Sequence, residues 1–405
     1  MNHNHAPKLT DTSIEMGSLG PRVFGPALIV GLLGTAGAVA LGMGEGDGMR
    51  HFSYSWLVSF AFFLAISLGA LIFLPIQHIT RATWSVVVRR LAEVLAMALP
   101  FMLILALPIL LNLPNIYDWA SAHPHHLTAE LAASKAPFLN KTFFMVRMVV
   151  YFAIWTWLAS FYWRTSRKQD QTRDPKLTLR MENRSGPAII LFALTCSGAG
   201  MDLLMTLDPA WFSTIFGVYF FAGGFVTFYA VMTLGTMLLQ RTGRLEKIIS
   251  PEHFHDYGKL MFAFTFFWAY IAFSQYMLYW YGNIPEETAW YLIRQSGSWG
   301  QVGLVLAIGA FVLPFAGLIS RFAKRSRALL AFWAVWLLVM QWANLYWVAM
   351  PVFNAEQVTF SVLDLAAFLG IGGLWLAVVV KLAGVGTLVP TGDPRLDESL
   401  AFENA

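Results

Sequence analysis

Charged residues are scarce in this sequence of 405 residues, where Asp, Glu, Lys and Arg together account for 12%. Soluble globular domains carry about 25% charged residues. Apolar residues account for 57% of the sequence and aromatic residues for 15%. The composition therefore excludes a soluble globular protein and indicates a chain that lies largely within a membrane.

Cysteine is almost absent as well. The single cysteine, Cys196, excludes an intrachain disulfide, and the sequence contains neither a Cys-x-x-Cys-His haem-attachment motif nor the thiolates of an iron–sulfur cluster. A haem b between helices would need two inward-facing histidines, yet only His78 lies at the end of a predicted helix. The other eight fall in predicted tails and loops: His3, His5, His51, His123, His125, His126, His253 and His255. We therefore expect that this chain binds no redox cofactor or metal of its own.

Long apolar runs dominate what is present. Ten segments are long enough to cross a bilayer as helices, and we number them spans 1 to 10: 25–43, 54–77, 93–111, 138–161, 187–206, 215–240, 257–281, 299–319, 328–350 and 361–380. We predict an all-α integral membrane protein with a ten-helix domain over 25–388 and tails at 1–24 and 389–405. The first 20 residues lack the basic-then-apolar order of a cleaved signal peptide, so we expect span 1 to be retained.

The predicted loops alternate sharply in charge. The four loops between spans 2–3, 4–5, 6–7 and 8–9 contain 17 Lys and Arg residues, whereas the five loops on the other side contain four. The positive-inside rule then places both termini and the four basic loops in the cytoplasm. This signal explains the net charge of +4 without a nucleic-acid partner. The most basic loop, residues 164–184, serves either as a topological signal alone or also as a contact for anionic lipid headgroups.

Three patterns in the helices and loops have simple interpretations. Span 1 places Gly31, Gly34 and Gly37 three residues apart, which is typical of close packing against another helix. The glycine-rich segment 42–48 lacks the Lys-Ser/Thr of a phosphate loop and is predicted to be a turn. A His-Pro-His-His segment at 123–126 is interpreted as a docking surface for a partner, with a metal site as the alternative.

Ionisable side chains within the spans are functional candidates, because an unpaired charge in hydrocarbon is costly. They sort by depth into two groups. On the side of the basic loops lie His78, Glu93 and Lys259, and on the opposite side lie Arg147, Asp202 and Asp364 with the polar Gln275 and Tyr279. Two interpretations stay open: two half-channels that meet at a controlled middle, or charges that simply stay near the interfaces.

Arg147 and Asp202 are the most specific candidate for a contact among these residues. They lie about 12 Å and about 9 Å from the outer ends of spans 4 and 5, given the helical rise. Because consecutive spans are antiparallel, we expect the two side chains to form a bidentate ion pair. Such a pair is either a structural lock or a group that handles protons or quinol.

Span 7 is unusually aromatic and holds one formal charge between residues 258 and 281. Polar side chains fall on both faces of the helix: Lys259, Tyr270, Ser274 and Tyr281 on one, and Trp268, Gln275 and Tyr279 on the other. Because a lipid-facing helix needs no polar group on either face, we predict that protein encloses span 7. A proton path would then follow Lys259, Tyr270 and Ser274 toward Asp202.

Two stretches carry a family resemblance. Residues 258–264 read Gly-Lys-Leu-Met-Phe-Ala-Phe, and Phe-Trp-Ala-Tyr, Phe-Ser-Gln-Tyr and Trp-Tyr-Gly-Asn-Ile-Pro-Glu-Glu-Thr follow at 267–270, 273–276 and 280–288. Residues 205–217 read Met-Thr-Leu-Asp-Pro-Ala-Trp-Phe-Ser-Thr-Ile-Phe-Gly. Over nearly its whole length the chain resembles the F-type membrane subunit, also called quinone-binding subunit 2, of bacterial alternative complex III. That subunit is a relative of the polysulfide-reductase membrane subunits.

The resemblance implies a fold with two four-helix bundles, spans 2–5 and spans 6–9, in a bacterial inner membrane. It implies a subunit without cofactors in a complex that oxidises quinol or menaquinol and reduces cytochrome c. Iron–sulfur clusters and haem c would then lie in partner subunits, beside a homologous membrane subunit. A terminal oxidase is a further candidate partner.

Several roles stay open at this point. Within such a complex the chain is a scaffold with a proton path, a scaffold alone, or a site for quinol, for which only Asp202 or Asp364 would serve as a proton acceptor. A secondary transporter of small solutes is the alternative from another class. Transporters favour broken helices around a charged midplane site, whereas the midplane here holds only Tyr270 and a few hydroxyl groups.

Overall fold

The computed structural model describes residues 11–44, 46–121 and 128–403, with the backbone alone for residues 11 and 12. His3, His5 and the His-Pro-His-His segment lie outside these ranges, so their interpretations remain predictions. The described chain is all-α, and its extended backbone amounts to a single bridge between Glu15 and Thr387.

Ten helices in the described ranges are long and apolar enough to cross a membrane, as predicted. Each has at least 22 residues, or about 33 Å of helix. Spans 1 to 10 are Leu19–Gly42, Gly48–Ile79, Val86–Leu111, Lys141–Thr172, Lys176–Leu207, Phe216–Arg241, Pro251–Gly282, Gly297–Leu318, Arg327–Phe353 and Val362–Ala383. The protein is therefore an all-α, multi-pass integral membrane protein.

Three spans are irregular. Span 3 consists of Val86–Ala96, Leu99–Leu105 and Leu107–Leu111, and its second and third pieces each begin with a proline near the first position. Span 8 contains a π-helical turn, Ala307–Val312. Span 5 ends in a short 3₁₀ turn. Outside the spans lie shorter helices: Asp11–Ile14, Leu113–Ile116, Asp118–Ala120, Ala129–Lys135, Pro285–Gln295, Arg321–Arg325 and Leu396–Leu400.

Eight of the spans form two four-helix rings. Spans 2, 3, 4 and 5 pack in sequence, and span 5 returns to span 2 (ring 1). Spans 6, 7, 8 and 9 close in the same way (ring 2), and spans 2 and 6 join the rings at the centre. This arrangement agrees with the two four-helix bundles that the resemblance implied.

Spans 1 and 10 form a tight pair outside the rings. A Cβ on Gly31 would lie 2.5 Å from the backbone nitrogen of Leu374, and one on Gly34 would lie 2.5 Å from that of Gly370. The predicted small-residue stripe is thus confirmed at these two positions. At Gly37 the nearest atom would be 4.0 Å away, an ordinary contact.

We expect Gly31→Ala to lower the free energy of unfolding by about 1–3 kcal/mol, because the added methyl group forces the two backbones apart. Thermal unfolding in detergent would measure the change. Gly25→Ala is the matched control in the same helix, since its new Cβ would meet nothing within 4 Å. Equal effects of the two substitutions would contradict the tight pairing of spans 1 and 10.

Both described ends of the chain lie at one end of the molecule, which we call the terminal end; the opposite end is the far end. Leu388 donates its backbone N–H to the Ile14 carbonyl at 2.6 Å, and Leu245 donates to Ser13 at 2.9 Å. Helical structure reaches further here than predicted. Spans 4 and 5 extend to Thr172 and from Lys176, so the basic segment 164–184, expected as a loop, is a helical hairpin with a turn at 173–175.

Candidate functional site

Arg147 and Asp202 form the predicted bidentate ion pair inside ring 1. Arg147 Nε and Nη2 donate to the two carboxylate oxygens at 2.8 and 2.9 Å, and Asp202 is fully buried. Tyr151 donates its hydroxyl to the same carboxylate at 3.0 Å, and Arg147 Nη1 donates to the Phe138 carbonyl at 2.9 Å. Three donors meet on one buried carboxylate, so this geometry makes the pair a structural lock in its resting arrangement.

A polar cavity of about 580 Å³ opens at the far end, between the two rings. Tyr54 and Tyr117 line it, and they donate their hydroxyls to the carbonyls of Ile116 and Leu203 at 2.8 and 3.0 Å. Burial, and then the negative charge of Asp202, raise the pKa of Tyr117 well above its usual value. Tyr117 is therefore a neutral phenol that lines the cavity and bonds to the carbonyl of Leu203, the residue after Asp202.

Asp364 is buried in a second far-end site. It completes a capping box at the start of span 10, where its Oδ2 accepts the Ser361 N–H at 2.7 Å. Ser55 donates its hydroxyl to Oδ1 at 2.6 Å, and His51 Nε2 lies 3.4 Å from Oδ2. Asp364 thus joins spans 2 and 10. His51, predicted to lie in a loop, belongs to the same site.

The terminal end of ring 1 contains a buried cluster of charges. Arg89 Nη1 lies 3.3 Å from both ring nitrogens of His78 and 3.2 Å from Asp393 Oδ2. Arg90 Nη1 lies 3.4 Å from Glu93 Oε2, and its Nη2 pairs with Asp170. His78 and Glu93 are therefore brought together as members of one cluster.

Residues 388–400 cover this cluster, although residues from 389 onward were expected to form a tail. Leu388 and Val389 are fully buried, and Gly392 donates its N–H to Asp170 Oδ1 at 3.0 Å. Arg395 pairs with Glu182 of span 5. This segment, which we call the C-terminal strap, closes the terminal end of ring 1.

Few polar groups connect the two ends of ring 1. Tyr162 and Ser185 share a hydrogen bond of 2.9 Å, and Trp155 donates its indole N–H to Thr195 at 2.9 Å. Ser185 and Asp202 are 17 residues apart on span 5, or about 25 Å. Any proton that crosses ring 1 needs bound water between these side chains, because they lie too far apart for direct transfer.

The prediction that protein encloses span 7 is wrong for this chain. Tyr270 is 58% exposed, Tyr281 is more exposed still, and Ser274 is half-buried. Lys259 is half exposed and pairs with Asp256. Helical spacing identified which residues share a face, but it does not determine which face turns inward. Tyr270 is therefore not an interior gate within this chain, and the Lys259–Tyr270–Ser274 face turns toward lipid or a partner.

The other face of span 7 does turn inward, into ring 2. Gln275 accepts a hydrogen bond from the Ser213 hydroxyl at 2.8 Å and donates one to the Tyr291 hydroxyl at 2.9 Å. Tyr279 donates its hydroxyl to the Phe212 carbonyl. These bonds fix the far end of span 7 to the connection after span 5 and to the helix Pro285–Gln295, so the observed roles of Gln275 and Tyr279 are structural.

Arg294 supports the same region and was missed in the sequence. It is 1% exposed, and its guanidinium lies 3.5 Å from the centre of the Trp290 ring. It donates to the carbonyls of Trp347 and Val348 at 3.2 and 2.6 Å. Burial lowers the pKa of Arg294 to about 9, still above neutral pH. The sequence does contain a signal for this contact. Pro351 lies four residues after Trp347 and cannot donate to the Trp347 carbonyl, so that carbonyl needs a donor from outside its helix.

A scan against protein-family models finds no match to this chain, and a search of curated proteins finds no similar one. Among the described residues, no group of three or more His, Cys, Asp or Glu side chains has a metal-binding arrangement. The expectation that the chain binds no cofactor remains a prediction.

Proposed function

We propose that this protein is the membrane subunit of a quinol:cytochrome c oxidoreductase of the alternative complex III type, in which it forms a scaffold with a proton path through ring 1. The observation that supports this most is the distribution of charge in ring 1. Ionisable groups form one cluster at each end, and the hydrogen-bonded side chains described between them are the pairs Tyr162–Ser185 and Trp155–Thr195. The resemblance of residues 205–217 and 258–288 to that subunit supplies the reaction.

In the proposed path, Glu93 and His78 accept protons at the terminal end, and Asp202 releases them into the far-end cavity. Arg147 and Tyr151 donate hydrogen bonds to the Asp202 side chain at rest. Protonation of Asp202 requires the bidentate pair to open, and the pair then closes behind the departing proton. This path replaces the one along Lys259 and Tyr270, whose side chains lie on the outer surface.

The remaining parts of the proposal concern the surroundings of the chain. The 17-to-4 distribution of basic residues supports a cytoplasmic location for the terminal end in a bacterial cell. A reporter fused at residue 174 should therefore report a cytoplasmic position. Quinol or menaquinol supplies the electrons. Iron–sulfur and haem c subunits, a homologous membrane subunit and a terminal oxidase are the proposed partners.

The proposal predicts that Asp202→Asn uncouples proton release from electron transfer. In vesicles that contain the whole complex, the variant should oxidise quinol at the wild-type rate but release fewer protons per electron. Tyr270→Phe is the control, because it removes a hydroxyl from the outer surface of span 7. Equal proton release by wild type and Asp202→Asn would reduce the role of this chain to a scaffold.

Complex membership is tested separately by affinity purification of the full chain from its native membrane. Recovery of haem c and iron–sulfur subunits with it would support the proposal. Uptake of a small solute by vesicles that contain the chain alone, without those subunits, would instead favour a secondary transporter. The breaks in spans 3 and 8 are the features that such a function would use.

A further inference from the structure

Four basic side chains lie on the outward face of the helical hairpin made by spans 4 and 5, near the terminal end. Arg164 and Lys168 are one turn apart on span 4, and Arg180 and Arg184 are one turn apart on span 5. All four are exposed. Like charges four residues apart on a helix repel each other, so this face is destabilised unless an anion covers it.

The acidic side chains of the same hairpin are engaged elsewhere. Asp170 pairs with Arg90 and accepts the Gly392 N–H, and Glu182 pairs with Arg81 and Arg395. Asp174, at the turn, accepts the Lys176 N–H at 2.9 Å. Asp170 and Glu182 therefore turn toward the interior and the C-terminal strap, and Asp174 stays at the turn. The outward face keeps a net charge of +4 from its four basic residues.

Two adjoining pockets of about 290 Å³ each lie beneath these basic residues. They share Trp157, Phe161 and Arg180, whose guanidinium carbon is 5.8 Å from the centre of the Phe161 ring. Arg164 and Lys168 line the first pocket, and Arg184 lines the second. Each pocket thus combines at least two cations with aromatic walls.

The pockets continue from the charged surface to the depth of the hydrocarbon. Trp157 is seven residues from Arg164 toward the membrane centre, and Leu191 is seven residues from Arg184, or about 10 Å in each case. Leu158 and Pro187 complete the apolar part of the second pocket. A soluble anion would use only the charged rim, whereas a lipid would fill both levels.

We propose that this face binds an anionic phospholipid with two phosphate groups, a diphosphatidylglycerol. One phosphate lies between Arg164, Lys168 and Arg180, and the other lies at Arg184. The upper parts of its acyl chains lie along Trp157 and Leu191. Basic pockets between membrane helices bind such headgroups because charge and hydrophobic burial act together.

The test is native mass spectrometry of the full chain, released from nanodiscs that contain equal amounts of diphosphatidylglycerol, phosphatidylglycerol and phosphatidylcholine. The wild type should retain diphosphatidylglycerol preferentially. Arg180→Gln, which changes a residue shared by both pockets, should weaken that binding roughly fivefold, the effect of one basic residue at an anionic surface. Trp157→Ala should also weaken retention of diphosphatidylglycerol, because the indole lines both pockets.

Arg241→Gln is the matched control, because Arg241 is an exposed basic residue in the last turn of span 6, outside both pockets. It should retain lipid as the wild type does. Equal lipid loss from the two variants would overturn the site, as would displacement of the lipid by millimolar inorganic phosphate. Loss of an acidic protein subunit rather than of lipid, in complexes purified with Arg180→Gln, would assign the face to a protein partner and refute the lipid proposal.

Discussion

Replacing Arg147 with methionine should lower the free energy of unfolding by about 3–5 kcal/mol, because it leaves the Asp202 carboxylate buried without its cation. Tyr151 alone would remain as a donor to that carboxylate. Denaturant titration of the protein in mixed micelles, followed by tryptophan fluorescence, would measure the loss.

The double variant Arg147→Met/Asp202→Leu separates an ion-pair effect from a packing effect. It should be more stable than Arg147→Met alone, because replacing both partners of a buried pair with apolar groups is often close to neutral. Arg241→Met is the surface control, with an expected change below about 1 kcal/mol. If the double variant were no more stable than Arg147→Met, the unpaired buried charge would not be the cause of the loss.

Arg294→Met is expected to lower the free energy of unfolding by about 3 kcal/mol, because it removes donors from two buried carbonyls at about 1–3 kcal/mol each. The Trp347 carbonyl is affected more than the Val348 carbonyl, because Pro351 cannot donate a hydrogen bond to it. Thermal unfolding and the fluorescence of Trp290, which stacks on the guanidinium, would report the change.

A second substitution tests the reason for that loss. Pro351→Ala supplies a backbone N–H that can donate to the Trp347 carbonyl, so it should restore part of the stability in the Arg294→Met background. In the wild-type background the same substitution should have a smaller effect, because Arg294 already occupies that carbonyl. An identical effect of Pro351→Ala in both backgrounds would show that the arginine does not compensate for the proline.

The sequence was sufficient for the ten spans and for the Arg147–Asp202 pair. Long apolar runs admit few other structures, and two opposite charges at similar depth on consecutive helices have few other partners. The sequence was insufficient for the orientation of span 7. Both of its faces are aromatic, so nothing in the pattern distinguishes the side toward ring 2 from the side of Tyr270.

The missed contacts have three separate causes. His51 was assigned to a loop because the apolar run begins at residue 54, whereas the helix begins at Gly48. The Ser-x-x-Asp pattern at 361–364 is a capping signal that was available. The Arg89–Asp393 contact joins residues about 300 positions apart in a segment without apolar periodicity, and a single sequence contains no signal for it.

The C-terminal strap determines when the fold can be completed during synthesis. Arg89 enters the membrane with span 3, but the ribosome adds its partner Asp393 only after all ten spans have been made. The backbone bond from Leu388 to Ile14 likewise joins the first described helix to the last part of the fold. Until that moment the nascent protein holds a buried arginine without its carboxylate and a ring open at one end. Cellular proteases that survey incomplete membrane proteins would therefore recognise chains interrupted after span 10, even though every span had already been inserted.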